Sequence, residues 1–483
     1  MSARKLKKVS FGKKEIPYFC VEDGGYLEPD DTNEQTYQIT QKEIVKSVDI
    51  TSAAKHFDLH LPHLGPYKLD YFRNGRQLLI GGRNGHVAAF DWISKNLCCE
   101  FNVRESVHAI KWLHMPTMFA VAQADWTHVY DEKGIEIHCL KRLYRVYELD
   151  FLPYHFLLVA ASDNGFLSWL DISTGNLVAN FRMKVPRLTC LTHNPNNAIT
   201  FTGHPNGTVR LWSPNNNEPL VRLLCHPSAV LDVAVDNRGL FMVTTGSDRS
   251  VRIWDIRNYQ CMNTFRVPST PSRITLSQKN LLAIGSGNEV SIFNRYSDKI
   301  DKPYMRHRME LRTSVISSLQ FCPFEDVLGV GHQDGFTSIL VPGSGEANFD
   351  ALEANPYMTK SQRREMEVKS LLEKINYELI TLDADFLAKR CDNAPIQRSK
   401  VKTKRKKSNK YRSITKTADV LEEENPIVAE SDAIHQTEKQ QIRRKRGKKN
   451  LATKLRSKAA RKEKRRRSRV QEKLLNQKSH KQN

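Results

Sequence analysis

Between His226 and Asp255 apolar and polar residues alternate in short runs: Leu231, Val233 and Val235, then Leu240 and Met242, then Val251 and Ile253. Period-two alternation interrupted by the turn residues Asp236-Asn237-Arg238-Gly239 and Gly246-Ser247-Asp248 predicts three antiparallel strands. A fourth is expected through Cys261 to Val267. One four-stranded sheet cannot cover both its faces, so such a unit has to recur and stack. A turn followed by a strand ends at Asp91, Asp131, Asp171, Ser213, Asp255, Asn294 and Val341, in steps of 40, 40, 42, 42, 39 and 47 residues. Seven units of this length predict an all-β chain folded as a seven-bladed β-propeller over residues 67–345.

The unit that ends in Trp254-Asp255 resembles a WD-repeat blade, in which a His, a Ser or Thr, a turn Asp and a strand Trp hydrogen-bond across the sheet. Here those positions are His226, Thr244, Asp248 and Trp254. A buried polar network of that kind holds a blade together and catalyses nothing, so its expected role is structural. The residues at the Trp position of the seven units are Phe90, Tyr130, Leu170, Trp212, Trp254, Phe293 and Leu340. Trp stands in only two of them, so the periodicity carries the count and the motif does not. A Gly-rich phosphate loop, a G-x-S-x-G elbow and an H-E-x-x-H pair are all missing from the sequence. No catalytic residue, cofactor, metal ligand or small-molecule substrate is therefore expected. His86, His204 and His332, which fall at turns, read as polar surface.

The flanks follow other rules. Residues 1–39 form a small basic arm with Arg4, Lys5, Lys7, Lys8, Lys13 and Lys14, then an acidic, turn-rich stretch, and are expected to lack structure of their own. In the extension 40–66, Thr40 and Glu43 make a capping box ahead of Ile44, Val45 and Val48, which predicts a helix to about His56 and a lead-in to the first blade. After the seventh unit the period is lost. Within 346–396, Thr359 and Gln362 form a second capping box, and Val368, Leu371, Leu372, Ile375 and Leu379 keep helical spacing while Lys and Glu fill the opposite side. That amphipathic helix needs a cover for its apolar stripe, from the propeller or from a partner. Arg363 and Arg364 read either as its solvated face or as phosphate contacts.

Charge changes the picture once it is located. The chain carries a net charge of +22. Residues 397–483 hold 30 Lys and Arg against 9 Asp and Glu, a surplus of 21, while residues 1–396 hold 45 against 44. Apolar periodicity vanishes in the same region, so 397–483 is expected to be a disordered basic tail. Its clusters Lys404, Arg405, Lys406 and Lys407, then Arg443, Arg444, Lys445 and Arg446, then Arg465, Arg466 and Arg467, suit RNA phosphates and nuclear import equally well. Tyr411 is the tail's one aromatic residue, so base stacking and sequence readout are expected to be minor. The nine cysteines are scattered and contain no C-x-x-C pair, which predicts reduced thiols and an intracellular protein. No run approaches the roughly 18 apolar residues of a membrane helix, so no membrane partner is expected.

Three stretches resemble one family: GPYKLDYFRNGRQLLIGGRNGHVAAFDW (65–92), ANFDALEANPY (347–357) and the QRREMEVKSLLEK helix (362–374). They are similar to the family of U3 small nucleolar RNA-associated protein 7, also called WD repeat-containing protein 46, over residues from about 40 to 390. The resemblance implies a non-enzymatic, nucleolar scaffold subunit of the small-subunit processome. Its partners would be pre-ribosomal RNA, the particle containing U3 small nucleolar RNA and neighbouring processome proteins, during maturation of the 18S rRNA precursor. The docking element it points to is the family-specific segment with Phe349, Asn355, Pro356, Tyr357, Arg363, Arg364, Leu371 and Leu372. The alternative is a WD-repeat interaction adaptor, a ubiquitin-ligase subunit or chromatin reader whose tail serves nuclear import. That reading leaves the segment after Val341 without a role.

Overall fold

The computed structural model describes residues 25–29, 35–185, 188–294, 302–309 and 315–382. It contains seven four-stranded antiparallel sheets. Six are continuous in sequence: blade 1 (67–102), blade 2 (109–144), blade 3 (146–182), blade 4 (190–224), blade 5 (230–266) and blade 6 (273–308). In every blade the first strand packs against the first strands of both neighbours, so these seven strands ring the axis. Between the blades the apolar faces meet in dry layers around fully buried side chains such as Trp92, Trp169, Trp212, Phe119 and Phe201. The expected fourth strand of blade 5 spans Gln260–Arg266, paired with Ser250–Asp255.

Blade 7 is completed from the other end of the chain. Its three strands Ile316–Phe321, Val327–His332 and Gly335–Leu340 are joined by Phe57–His60, antiparallel to the last of them with Phe57 opposite Ser338 and His60 opposite Gly335. The stretch expected to be a helix end and a lead-in is thus an outer strand of the propeller. The N-terminal helix is also shorter than the apolar spacing predicts. Helix α1 (Gln41–Ser47) ends where Val48 turns extended, and after Asp49 a single-turn α2 (Ile50–Ala53) follows. The Glu43 carboxylate accepts from the Thr40 amide at 3.1 Å, as the capping box requires.

Tertiary contacts explain why α1 stops there. Ile44 is buried in the core of blade 7, and the Gln41 side chain clamps Leu340, donating to its carbonyl at 2.8 Å and accepting from its amide at 3.1 Å. The chain must then reverse to bring Phe57 to the edge. Ser338 Oγ donates to Lys55 O at 2.7 Å, and Lys55 pairs with Glu325. Gly335, at φ +143°, lies directly against the Leu59 carbonyl, so a Cβ there would collide with the closing strand.

Aspartates on the innermost strands tie blade to blade. Asp70 of blade 1 accepts from the Trp112 amide of blade 2 at 2.8 Å, and Asp232 of blade 5 accepts from the Ile274 amide of blade 6 at 2.8 Å. Asp150 of blade 3 meets His193 of blade 4 at 2.5 Å. These buried carboxylates are balanced by cations on the same ring: Lys111 lies 3.1 Å from Asp70 and 3.5 Å from Asp150, and Glu148 receives Lys68 at 2.8 Å and Arg273 at 3.3 Å. Burial raises the cost of ionising Asp150, but His193 and Lys111 outweigh it and hold the carboxyl down at about 2.

Blade 5 contains the expected cross-sheet chain with one more member. Trp254 Nε1 donates to Thr244 Oγ1 at 3.0 Å, and Thr244 Oγ1 lies 2.9 Å from His226 Nε2. His226 Nδ1 is 3.0 Å from Ser250 Oγ, which donates to Asp248 Oδ2 at 2.8 Å. Asp248 is also 3.5 Å from the imidazole itself. One direction of donation, from Trp254 through Thr244, His226 and Ser250 to Asp248, satisfies every group with a neutral imidazole. Burial lowers the pKa of His226 accordingly.

The turn histidines are not polar surface. His86, His204 and His332 are all buried, because each enters its own blade's polar network. His86 faces Tyr67 Oη at 3.2 Å, His204 faces Thr202 Oγ1 at 3.2 Å beneath Trp212, and His332 faces Thr337 Oγ1 at 3.1 Å.

Trp254→Ala and Asp248→Ala should both destabilise the propeller, by about 3–4 kcal/mol for the buried indole and about 1–3 kcal/mol for the partly exposed carboxylate. Thermal melting checks both, and parental melting of either variant removes that residue from the network. Acid should unfold the protein early, since burial lowers the pKa of His226 and His332, and takes His155 down to about 4. Their folded values lie below the unfolded 6.5, so the unfolded chain binds more protons and stability is lost as pH falls below about 6.5. For His155 alone the loss reaches on the order of 3 kcal/mol by pH 4, and urea titrations between pH 7 and 4.5 should show the midpoint dropping throughout.

Candidate interaction surface

The loops between first and second strands and between third and fourth strands share one face of the propeller. The chain leaving blade 7 runs across that face. Asp326 first captures it, accepting from the amides of Ser344 at 2.9 Å and Gly345 at 2.8 Å. Phe349 then packs edge-on to Phe324 with ring centroids 6.3 Å apart, and Glu353 accepts from Tyr154 Oη at 3.1 Å. Arg76 of blade 1 donates from Nη1 to the Pro356 carbonyl at 3.1 Å and lies under the Tyr357 ring at 5.9 Å.

Helix α3 (Lys360–Leu372) begins next. Its capping box is complete: the Thr359 amide donates to Gln362 Oε1 at 2.9 Å, and the Gln362 amide donates to Thr359 Oγ1 at 3.3 Å. The helix is two turns shorter than the Val368 to Leu379 spacing predicts. It stops because the blade 3 loop intercepts the chain, with the Ile375 amide donating to the Tyr154 carbonyl at 3.0 Å and Lys374 bonded to Asp171. Under blade 4, Asn215 Nδ2 donates to the Glu378 carbonyl at 3.0 Å and Ser213 Oγ to the Ile380 carbonyl at 3.0 Å. Ile380 is buried in the core between blades 3 and 4.

The repeat-ending aspartates gain a second use here. Asp91 accepts the amides of Ile93 and Ser94 in its turn and also Arg76 Nε at 2.6 Å, which orients that guanidinium toward Pro356. Asp171 caps its turn through Ser173 and holds Lys374. Burial opposes ionisation of Asp171, but Lys374 and Ser173 more than offset it, and its carboxyl sits below the ordinary range.

α3 turns the side expected to be polar toward the propeller. Arg363, Met366, Glu367 and Ser370 are half-buried, and Glu367 lies 3.4 Å from His114 of blade 2. Arg364 is exposed, and the apolar stripe faces away: Val368 is 58% exposed, Leu371 41% and Leu372 83%. The propeller therefore leaves Leu372 uncovered and Leu371 only partly covered. It does hold Phe349, Asn355, Pro356 and the Arg363 face of the helix, while Tyr357 projects outward. Lys404 to Lys407, Arg443 to Arg446 and Arg465 to Arg467 lie outside the described residues.

Sequence reading missed Arg76, His114, Tyr154, Ser213 and Asn215 as anchors of this segment, and Ser250 as the link between His226 and Asp248. The anchors sit in blade loops whose partners lie far along the chain, so no local signal marks them. Ser250 was within reach, since it stands two residues past the turn Asp248 and shares its strand face with Trp254, four residues on.

Comparison with known proteins matches the two parts of this architecture separately. Residues 217–255 match the WD domain, G-beta repeat, and residues 303–383 match the BING4CT (NUC141) domain, which takes in the last strand of blade 6, the three C-terminal strands of blade 7 and the segment laid across the face. The human WD repeat-containing protein 46 is 50% identical over 372 residues, covering 76% of this chain and 60% of that protein. The protein of that name from Caenorhabditis elegans is 49% identical, over 76% of this chain and 63% of its own length. The chain thus spans less than two thirds of the length of these two relatives. The U3 small nucleolar RNA-associated protein 7 of Saccharomyces cerevisiae is 42% identical over 398 residues, 79% of this chain and 72% of the yeast protein. Matched at these identities over three quarters of its length, the chain belongs to the family of WD repeat-containing protein 46 and U3 small nucleolar RNA-associated protein 7.

Proposed function

We propose that this protein is a non-enzymatic scaffold of ribosome biogenesis, a nucleolar subunit of the small-subunit processome that binds pre-ribosomal RNA and neighbouring proteins while the 18S precursor matures. The observation that carries this reading is the similarity, over 79% of the chain, to a protein named for association with U3 small nucleolar RNA, beside the BING4CT match over residues 303–383. The physical chemistry agrees. A ring of blades closed at both ends of the chain is a rigid body with separate faces for separate neighbours. The polar chain of blade 5 from Trp254 to Asp248 and the ion pairs of the axis are satisfied within the propeller, so they serve cohesion. A surplus of 21 positive charges in 397–483 suits a polyanion, where each Lys or Arg displaces condensed counterions.

In this reading the tail residues Lys404 to Lys407, Arg443 to Arg446 and Arg465 to Arg467 contact RNA phosphates, with position rather than sequence as the information exchanged. The outward face of α3, with Arg364, Val368, Leu371 and Leu372, is the docking surface for a protein neighbour in the particle. An apolar stripe on a helix that its own domain leaves open is an interaction site by default.

Deleting 397–483 should leave the melting temperature of the propeller unchanged and weaken RNA binding. On single-stranded RNA the slope of log K against log salt should flatten by about 0.7 for each phosphate that the tail no longer neutralises. Filter binding between 50 and 300 mM salt reads both, and an unchanged slope rejects the tail as the RNA-binding element; an unrelated import signal on the truncated chain controls for localisation in cells. Leu371→Asp with Leu372→Asp should leave melting within about 1 kcal/mol of the parent, because Leu372 is 83% exposed and Leu371 41%. The same double variant should be missing from large pre-ribosomal complexes on sucrose gradients, and parental co-sedimentation would remove this face from the assembly.

A further inference from the structure

At the outer edge of blade 2 the third strand, Trp126–Asp131, pairs with the fourth, Glu136–Tyr144. His128 lies directly opposite Cys139 in that ladder. Glu136 stands three residues before Cys139, so plain alternation would put it on the other face. The register shifts between Val129 and Tyr130, and this bulge re-aims Glu136 to pair with Tyr130, on the face that carries His128 and Cys139. One ligand atom from each of His128, Glu136 and Cys139 consequently lies within 4.8 Å of the other two.

The equivalent positions in other blades show what this arrangement ordinarily does. The same register shift occurs in the outer ladders of blades 1, 3 and 5. In blade 3 the counterparts of His128 and Cys139 are Ser168 and Asn180, hydrogen-bonded at 3.2 Å. In blade 5 the counterparts of Glu136 and Cys139 are Cys261 and Thr264, in contact at 3.3 Å. Blade 2 puts an imidazole, a carboxylate and a thiol there instead, and they are not engaged elsewhere. His128 Nδ1 is buried with no hydrogen-bond partner, and among the described residues neither the Glu136 carboxylate nor the Cys139 thiol makes a hydrogen bond or ion pair.

The three groups share one kind of guest. Mg²⁺ and Ca²⁺ take oxygen ligands, whereas a mixed nitrogen, oxygen and sulfur set is that of Zn²⁺. Tetrahedral Zn²⁺, with bonds of about 2.0–2.3 Å, holds its ligand atoms roughly 3.3–3.8 Å apart. Closing from within 4.8 Å takes a shift of about 1 Å, which the exposed Glu136 side chain supplies by rotating. Such an ion needs no open cavity, because its place is the space between the ligand atoms, and the exposure of Glu136 leaves a way in from solvent. The local charge favours a cation as well. Burial raises the pKa of the Tyr130 phenol, whose ring lies 6.2 Å from that of His128; its bond to Gln123 opposes this, and Glu136, Glu105 and Cys139 push it further up.

We propose that His128, Glu136 and Cys139 form a Zn²⁺ site on the outer edge of blade 2, with water in the fourth position. Cys139 binds as the thiolate, its proton passing to the solvent, and the ion pins the fourth strand of the blade to the third across the bulge. No ligand motif marks the site in the sequence, because residues spaced by eight and then three positions come onto one face only through the bulge. The site involves neither the basic tail nor α3, so its failure and theirs can be told apart.

The test uses the full-length protein, freed of metal by a chelator under reducing conditions and then titrated with Zn²⁺, or with Co²⁺ as its spectroscopic stand-in. The Co²⁺ form of the parent should show a thiolate-to-metal charge-transfer band. That band should vanish in Cys139→Ser and persist in Cys98→Ser and Cys261→Ser, which remove the two thiols exposed among the described residues. Zn²⁺ affinity, read by competition with a chromophoric chelator, should fall about tenfold or more for His128→Gln and for Glu136→Gln, since losing even a residue that only orients a ligand costs roughly 10–100-fold. Added Zn²⁺ should raise the melting temperature of the parent and not that of Cys139→Ser. Glu136 is exposed, so Glu136→Gln guards against misfolding of a variant at the half-buried Cys139. A parent without the band, or a band that survives Cys139→Ser, would overturn the proposal. Affinity unchanged by both His128→Gln and Glu136→Gln would overturn it too, leaving Cys139 as a lone thiol.

Discussion

The four residues Phe57–His60 close the ring. A propeller buries its core only when every blade has a neighbour on both sides, and blade 7 lacks its outer strand until the N-terminal segment arrives. The contacts that fix it span nearly the whole described chain: Gln41 on both backbone groups of Leu340, Lys55 on Glu325, Ser338 on Lys55. Loop-closure entropy for such long-range pairing is met before any of it is rewarded. Closure is therefore cooperative with the folding of the blades on either side, and the polar clamp by Gln41 finishes the edge that a helix end would otherwise leave open.

Closure also sets the environment of the axis. Once the innermost strands form a ring, Asp70, Asp150 and Asp232 are removed from water, and each finds a donor on the next blade; His193 and Lys111 hold the Asp150 carboxyl down, whereas burial outweighs the donors of Asp70 and Asp232 and raises theirs. A buried ion pair adds little net stability after desolvation, but breaking one is costly. Alternating Lys111, Lys68 and Arg273 among Glu148 and the aspartates fixes which blade sits beside which, and at what height. The blade networks around His226, His204 and His332 do the same work within a sheet. Register here is specified by polar groups, while the apolar layers supply the bulk of the cohesion.

The strap from Ser344 to Leu382 converts a generic ring into a particular one. It uses the aspartates that end the repeats, which already cap their own turns, as posts for Arg76 and Lys374. One face of blades 1 to 4 is consequently a composite of propeller loops and family-specific residues, and the opposite face is left to the loops between second and third strands. Recognition on the composite face depends on both parts being in place, which is why a propeller fold alone says little about what it binds.

The repeat spacing, the alternation within each blade, both capping boxes and the charge of residues 397–483 are local properties, and the chain determined them without reference to its fold. That is why seven blades, the start of α1 and α3 and the basic character of the tail were legible in the sequence, along with His226, Thr244, Asp248 and Trp254 as neighbours across one sheet. Partners far apart in the chain were not. Phe57–His60 reads as a lead-in until Gly335–Leu340 is there to pair with it, and α3 reads as longer than it is until Tyr154 catches Ile375. The three turn histidines read as surface until their blades enclose them. Which side of α3 is covered was likewise undecidable from its own stripe, because the partner the propeller offered it, His114 for Glu367, lies 253 residues away in the chain. Hydrogen bonds and packing across hundreds of residues decided that Arg363 faces in and Leu372 faces out.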